Sequence, residues 1–192
     1  STLINLLQEL AIIAANTKKN RLFAIKYSSP SLSSTIPLSN KVKDGIPMLI
    51  CGIELSNHEA IICLLNYNNG EFKVIDCRQR LFTLPKSGDT QAIRDFHFSF
   101  HKLMEDYKVD ELVIIQRPHK GKLAGSALSF KIEAAIELTT LPVTMINHTR
   151  IKEQIKRNTM QADFESLGLK KIQQPALNAA YAYQCQTIYQ QE

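Results

Sequence analysis

The chain has 192 residues, 44% of them hydrophobic and 21% charged, which suits one domain with a proper core and excludes collagen-like, disulfide-scaffold and wholly disordered classes. The formal charge of +5 is unevenly placed. Residues 1–47 hold Lys18, Lys19, Arg21, Lys26, Lys41 and Lys43 against Glu9 and Asp44, leaving 17 Lys/Arg against 16 Asp/Glu in residues 48–192. A nucleic-acid argument for the main domain must therefore rest on local clusters.

In chain order, the first apolar stretch is Leu3–Ala15. Asn5, Gln8 and Glu9 interrupt it, and it is too short to span a bilayer. It lacks a basic leader and a cleavage site, so we expect a cytoplasmic protein without a membrane partner. Leu3, Leu6, Leu7, Leu10, Ile13 and Ala14 mark one face of a short helix, and Leu22, Ala24 and Ile25 a brief extended piece. Ser28–Pro47 carries six serines and three prolines with no apolar period, a linker by composition. Residues 1–47 are read as an appendage and 48–192 as the domain. Cys51, Cys63, Cys77 and Cys185 form no C-x-x-C pair and read as small buried thiols of a reducing compartment.

Met48–Leu55 and Ala60–Leu65 are continuous apolar runs separated by Ser56-Asn57-His58-Glu59, a hairpin of buried strands. Asn68-Asn69-Gly70 is a second hairpin signal, and Phe72–Cys77 with Arg80–Leu84 reads as a third, bulged strand. Asp89/Thr90 offers an N-cap to a long amphipathic helix through Ile93, Phe96, Phe100, Leu103, Met104 and Tyr107. Leu112–Ile115 is all aliphatic, the pattern of a parallel strand buried on both faces. A basic loop, Gln116–Gly125, leads to a helix over about 126–138 with Leu128, Ile132, Ala135 and Ile136 on its packed face. Val143–Ile146 is the last strand, Thr149–Arg157 a basic helix, 158–172 irregular and 175–189 an alanine-rich closing helix. The order β-β-β-α-β-α-β-α-α predicts an α/β fold: a mixed five-stranded sheet with helices on both faces, because the later strands need right-handed crossovers.

That order resembles the RNase H-like fold (β-β-β-α-β-α-β-α), in particular Holliday-junction resolvases of the RuvC kind. The domain as a whole looks like a small uncharacterised bacterial family of that fold, over roughly residues 48–190. In the resolvases the first strand ends in G-I-D, whose Asp binds metal; Gly52-Ile53-Glu54 stands there, so the resemblance makes Glu54 the candidate ligand for Mg2+ or Mn2+. The fourth strand of such enzymes ends in Glu; Gln116 follows Val113-Ile114-Ile115. The last helix brings one or two Asp; Gln174-Pro175-Ala176-Leu177-Asn178 holds none. Two hard cations need several anionic oxygens, so Glu54, Gln116 and Asn178 read as a degenerate catalytic pocket, with Asp163, Glu165 and Asp76 as acids that it could recruit. Glu54 and Gln116 are expected to converge in one cleft. Without the resemblance, Glu54 is an ordinary strand-end acid.

Arg117, His119, Lys120 and Lys122 follow the central strand at the edge where open α/β sheets place ligands, and are candidate phosphate contacts; the plain alternative is a solvated loop. Lys152, Lys156 and Arg157, with Arg150, form a second basic cluster, joined by Lys170 and Lys171; its plain alternative is a solvated helix face. His97 and His101 have a zinc-compatible spacing, with Glu105 one turn on, yet sit beside the apolar stripe and read as a solvent-facing pair. Tyr181, Tyr183 and Tyr189 read as packing groups. Two functions stay open: a nucleic-acid-binding protein, for DNA or RNA, with a weak or degenerate metal-dependent nuclease centre, and a non-enzymatic protein-interaction module that keeps only the scaffold.

Overall fold

The computed structural model describes residues 23–25, 48–68, 70–121, 124–160, 164 and 167–189. The expected N-terminal helix and linker, together with Lys122, Asp163, Glu165 and the side chain of Tyr189, lie outside the described residues.

The strands are β1 (Phe23–Ile25), β2 (Met48–Ser56), β3 (Glu59–Asn68), β4 (Glu71–Ile75), β5 (Leu81–Thr83), β6 (Glu111–Ile115) and β7 (Val143–Ile146). They form one mixed sheet in the order β1-β4-β3-β2-β6-β7, with β5 also paired to β3. β2 and β3 close a hairpin whose Ser56↔Glu59 pairing leaves only Asn57 and His58 in the turn. Asn57 takes the left-handed conformation the turn needs, at φ 55°, which Asn tolerates better than most residues. The expected third strand is split. β4 pairs with the far end of β3 and β5 with Glu59–Ile61, and the buried Gln173 side chain donates to the Ile62 carbonyl in the gap (2.9 Å). The five expected strand positions are therefore present. β1 is an addition from the region read as an appendage, pairing antiparallel with β4.

Among the described residues the α-helices are α1 (Thr90–Tyr107), α2 (Ala127–Glu137), α3 (His148–Arg157) and α4 (Gln174–Tyr189). Asp89, Ser126 and Asn147 cap the first three by accepting from the amides of Ala92, Ser129 and Arg150, which satisfies donors that the helix itself leaves open. α1 and α2 cover one face of the sheet. There Phe96, Phe100, Leu103 and Ile132 bury against Cys51, Ile53, Phe82, Leu112 and Ile114, each large side chain contributing about 1.5–3 kcal/mol. α4 covers the other face, with Ala176, Ala179, Ala180 and Tyr181 against Ile50, Phe72, Val113 and Ile115, and α3 packs on α4. Tyr181 is a packing group, its ring 4.8 Å from that of Phe72. All four cysteines are free and buried, and burial pushes the Cys63 and Cys185 thiols up to about 12. No helix among the described residues is long and apolar enough to cross a membrane.

Small residues govern how close α4 comes to the sheet. The Gln184 amide donates to the carbonyls of Met48 and Leu65, while Ala176 and Ala180 lie over Gly52. α4 therefore runs antiparallel to β2 and brings its N-terminus towards the end of β2 that carries Glu54.

Candidate nucleic-acid interface

β2, β6 and β7 run parallel, so their carboxyl ends share one edge of the sheet. Glu54 comes from β2, Gln116 and Arg117 follow β6, and His148 opens α3 directly after β7. Paired residues of a parallel ladder share a face. Ile53 pairs with Ile114, which puts Gly52, Glu54, Val113 and Ile115 on the α4 side and Cys51, Ile53, Leu112 and Ile114 on the other.

This parity decides which side chain reaches Glu54. Gln116 continues on the Ile114 side and is exposed, its main-chain N–H donating to the Ile146 carbonyl (2.8 Å). Arg117, one residue later, returns to the Glu54 side, and its Nη1 lies 3.4 Å from Glu54 Oε1. The expected meeting of Glu54 and Gln116 gives way to an ion pair between Glu54 and Arg117.

The pair is enclosed, the Glu54 side chain being 14% exposed and that of Arg117 21%. It is also incompletely bonded: Glu54 Oε2 and Arg117 Nε are buried without a hydrogen-bond partner. Burial raises the Glu54 pKa, and the charges of Arg117 and His148 oppose that rise. A half-satisfied buried pair of this kind is costly to keep and marks a place where another polar group can be accepted.

The remaining candidates scatter. Asn178 sits half-buried in the second turn of α4. Asp76 lies one residue beyond β4, two strands away from β2, and is taken up by Arg80 (2.6 Å); it is not part of this edge. His119 is exposed, its ring stacked at 5.2 Å on Phe130 of α2, and Lys120 is exposed beside it. Lys152, Lys156 and Arg157 are exposed on α3, whose Ile151 and Gln154 are buried. Arg150 is tied to Gln186 of α4 by Nε (3.0 Å). His97 and His101 do not form a solvent-facing pair: both are half-buried, and His97 Nδ1 lies 2.8 Å from the Ala135 carbonyl of α2, so that ring bridges two helices, while His101 stacks on it and faces Glu105 of its own helix (3.3 Å). Sequence reasoning missed His148, whose place just after the last strand, on the same carboxyl edge, was its only signal.

Two divalent cations would require a cluster of anionic oxygens. Among the described residues no group of three His, Cys, Asp or Glu could hold a metal ion, and the carboxylate of Glu54 already faces a guanidinium. The described residues therefore do not fit a two-metal centre.

A family model described as "Protein of unknown function (DUF3010)" matches residues 48–183. The chain belongs to the DUF3010 family. Among solved structures, this DUF3010 chain is similar to Thermus thermophilus RuvC, with 12% identity, a TM-score of 0.58, and coverage of 73% of this chain and 95% of that one. A second structure, of T. thermophilus RuvC in complex with Holliday junction substrate, matches at 11% identity and a TM-score of 0.57, covering 73% and 94%. Identities this low establish the fold alone, which is RuvC-like and RNase H-like, as the element order implied. No curated protein matches significantly.

Proposed function

We propose that this DUF3010 protein binds nucleic acid along the carboxyl edge of β2, β6 and β7, and that it does so as a binding protein in which the two-metal cleavage chemistry of RuvC-like enzymes has lapsed. The observation that carries this reading is the charge at that edge: Arg117 and His148 both act on the one acid, Glu54, that β2 brings to it. The exposed cations Lys120, Lys152, Lys156 and Arg157 lie on the loop and helix that leave the same edge. His119, steadied on Phe130, belongs to the same loop, and Lys122, outside the described residues, follows it in the sequence. Phosphate oxygens are the natural partners of such a set, and contacts of this kind position a nucleic acid without reading its sequence. The likeness to a resolvase solved with a Holliday junction makes branched DNA the first ligand to try.

The test is fluorescence anisotropy of labelled four-way junction, duplex DNA, single-stranded DNA and single-stranded RNA, all in chelator. Binding should weaken steeply with salt, and Lys152→Ala should lower the slope of log K against log salt by about one. No binding of any of these at low salt would refute the reading.

A second reading has its own observation. Phe98 is 71% exposed on α1 and Leu138, at the end of α2, is 76% exposed, large apolar side chains of the kind found at protein contacts. If nucleic acid fails to bind and Phe98→Ser changes the oligomeric state, the scaffold serves protein interaction instead.

A further inference from the structure

The geometry points to Arg117 as a resident cation: its guanidinium takes up the charge of Glu54 that a divalent ion would otherwise meet, and so keeps such ions away from that carboxylate. This stands on the RuvC-like placement of Glu54 at the ligand edge, but not on which nucleic acid, if any, binds there.

A carboxylate as enclosed as Glu54 needs a counter-charge. The chain supplies one covalently from the end of β6, where strand parity turns Arg117 and not Gln116 to the Glu54 side. The tether matters, because a group held beside its partner does not have to be drawn from solution. An incoming Mg2+ or Mn2+ would have to displace the guanidinium or settle beside it, and like charges a few ångströms apart repel strongly in a partly buried site. It would also have to give up hydration for a single anionic side chain. Gln116 and Asn178 are neutral, the charges that act on Glu54 are those of Arg117 and His148 and not of another acid, and among the described residues no group of three His, Cys, Asp or Glu could hold a metal ion. The pair is nonetheless loosely made, with one contact at 3.4 Å and with Glu54 Oε2 and Arg117 Nε unpartnered. Glu54 is thus a carboxylate held in reserve, with its cation supplied by the protein.

Substituting Arg117 should therefore uncover metal binding that the parent lacks. Isothermal titration calorimetry and thermal melts with millimolar MnCl2, against a KCl control of equal ionic strength, are run on the full chain, on Arg117→Met and Arg117→Gln, and on Arg117→Met with Glu54→Gln. The parent should show no Mn2+-dependent rise in Tm. Each single variant should melt lower than the parent, recover part of that loss in Mn2+, since a ligand bound only by the folded state stabilises it, and bind Mn2+ at least about tenfold more tightly. The added Glu54→Gln should abolish both effects.

The inference is overturned if the single variants gain no Mn2+ affinity over the parent. It is equally overturned if the parent itself binds Mn2+ at Glu54, read as selective broadening of the Gly52–Leu55 amide signals in its 15N spectrum. That second measurement needs no variant, so the outcome is decided even if the Arg117 variants fail to fold. Neither arm contains nucleic acid, which keeps its failure separate from failure of the binding reading.

Discussion

Gly52 of β2 lies directly beneath the main-chain carbonyl of Ala176 in α4: a methyl group on Gly52 would overlap that oxygen and stand 3.0 Å from Ala180 Cβ. Backbone is what it would strike, so no side-chain rotation relieves the overlap. Gly52→Ala should therefore cost about 2–3 kcal/mol, read by urea denaturation. It should also loosen α4 first, seen as faster hydrogen exchange over 174–181 than over α1. A near-neutral Gly52→Ala would show that α4 can lift off the sheet at little cost.

Glu54 gives a pH dependence with a definite sign. Burial raises its pKa above the ordinary 4.5, against the opposing charges of Arg117 and His148. The folded chain thus holds the proton more tightly than the unfolded chain. The contribution of Glu54 to stability is then greatest below the ordinary value and declines as pH climbs through the raised folded-state value. Stability of the parent minus that of Glu54→Gln should fall between about pH 4.5 and neutrality. A difference that rises over that range would mean that the Arg117 charge outweighs burial.

Gln173 fills the break between β4 and β5. It is 2% exposed, donates to the Ile62 carbonyl and accepts from the Lys170 amide (3.1 Å). Gln173→Leu keeps much of the volume but leaves both backbone groups without their partner, and should lower stability by about 2 kcal/mol in equilibrium unfolding. Gln184, whose Oε1 is buried without a partner, serves as the comparison. Gln184→Leu forfeits two donated bonds but also removes an orphaned acceptor, so its cost should be the smaller of the two.

The sequence made the order of elements legible because the runs Met48–Leu55, Ala60–Leu65 and Leu112–Ile115 are apolar and bounded by turn signals, and α1 announces its cap at Asp89. The RuvC-like fold followed from that order. The site was less legible. Whether Gln116 or Arg117 meets Glu54 depends on the pairing of β2 with β6, which lie about sixty residues apart and are set in register only in the assembled sheet. A shift of one residue exchanges the two side chains across the sheet. His97 was misplaced for a similar reason: its partner, the Ala135 carbonyl, belongs to a helix 38 residues away, and helical periodicity on α1 alone cannot show what packs there. The addition of β1 to the sheet was hidden because three residues of extended chain carry little periodic signal.

We expect the edge formed by β2, β6 and β7 to be the nucleic-acid surface, and chemical-shift mapping locates the contact residue by residue. A 15N-labelled chain titrated with a four-way DNA junction in chelator should show its largest amide shifts at 54–58, 116–121 and 147–157, with α4 responding at 174–178. Shifts confined to the α1–α2 face around Phe98 and Leu138, or none at all at concentrations where the free chain stays monodisperse, would contradict it.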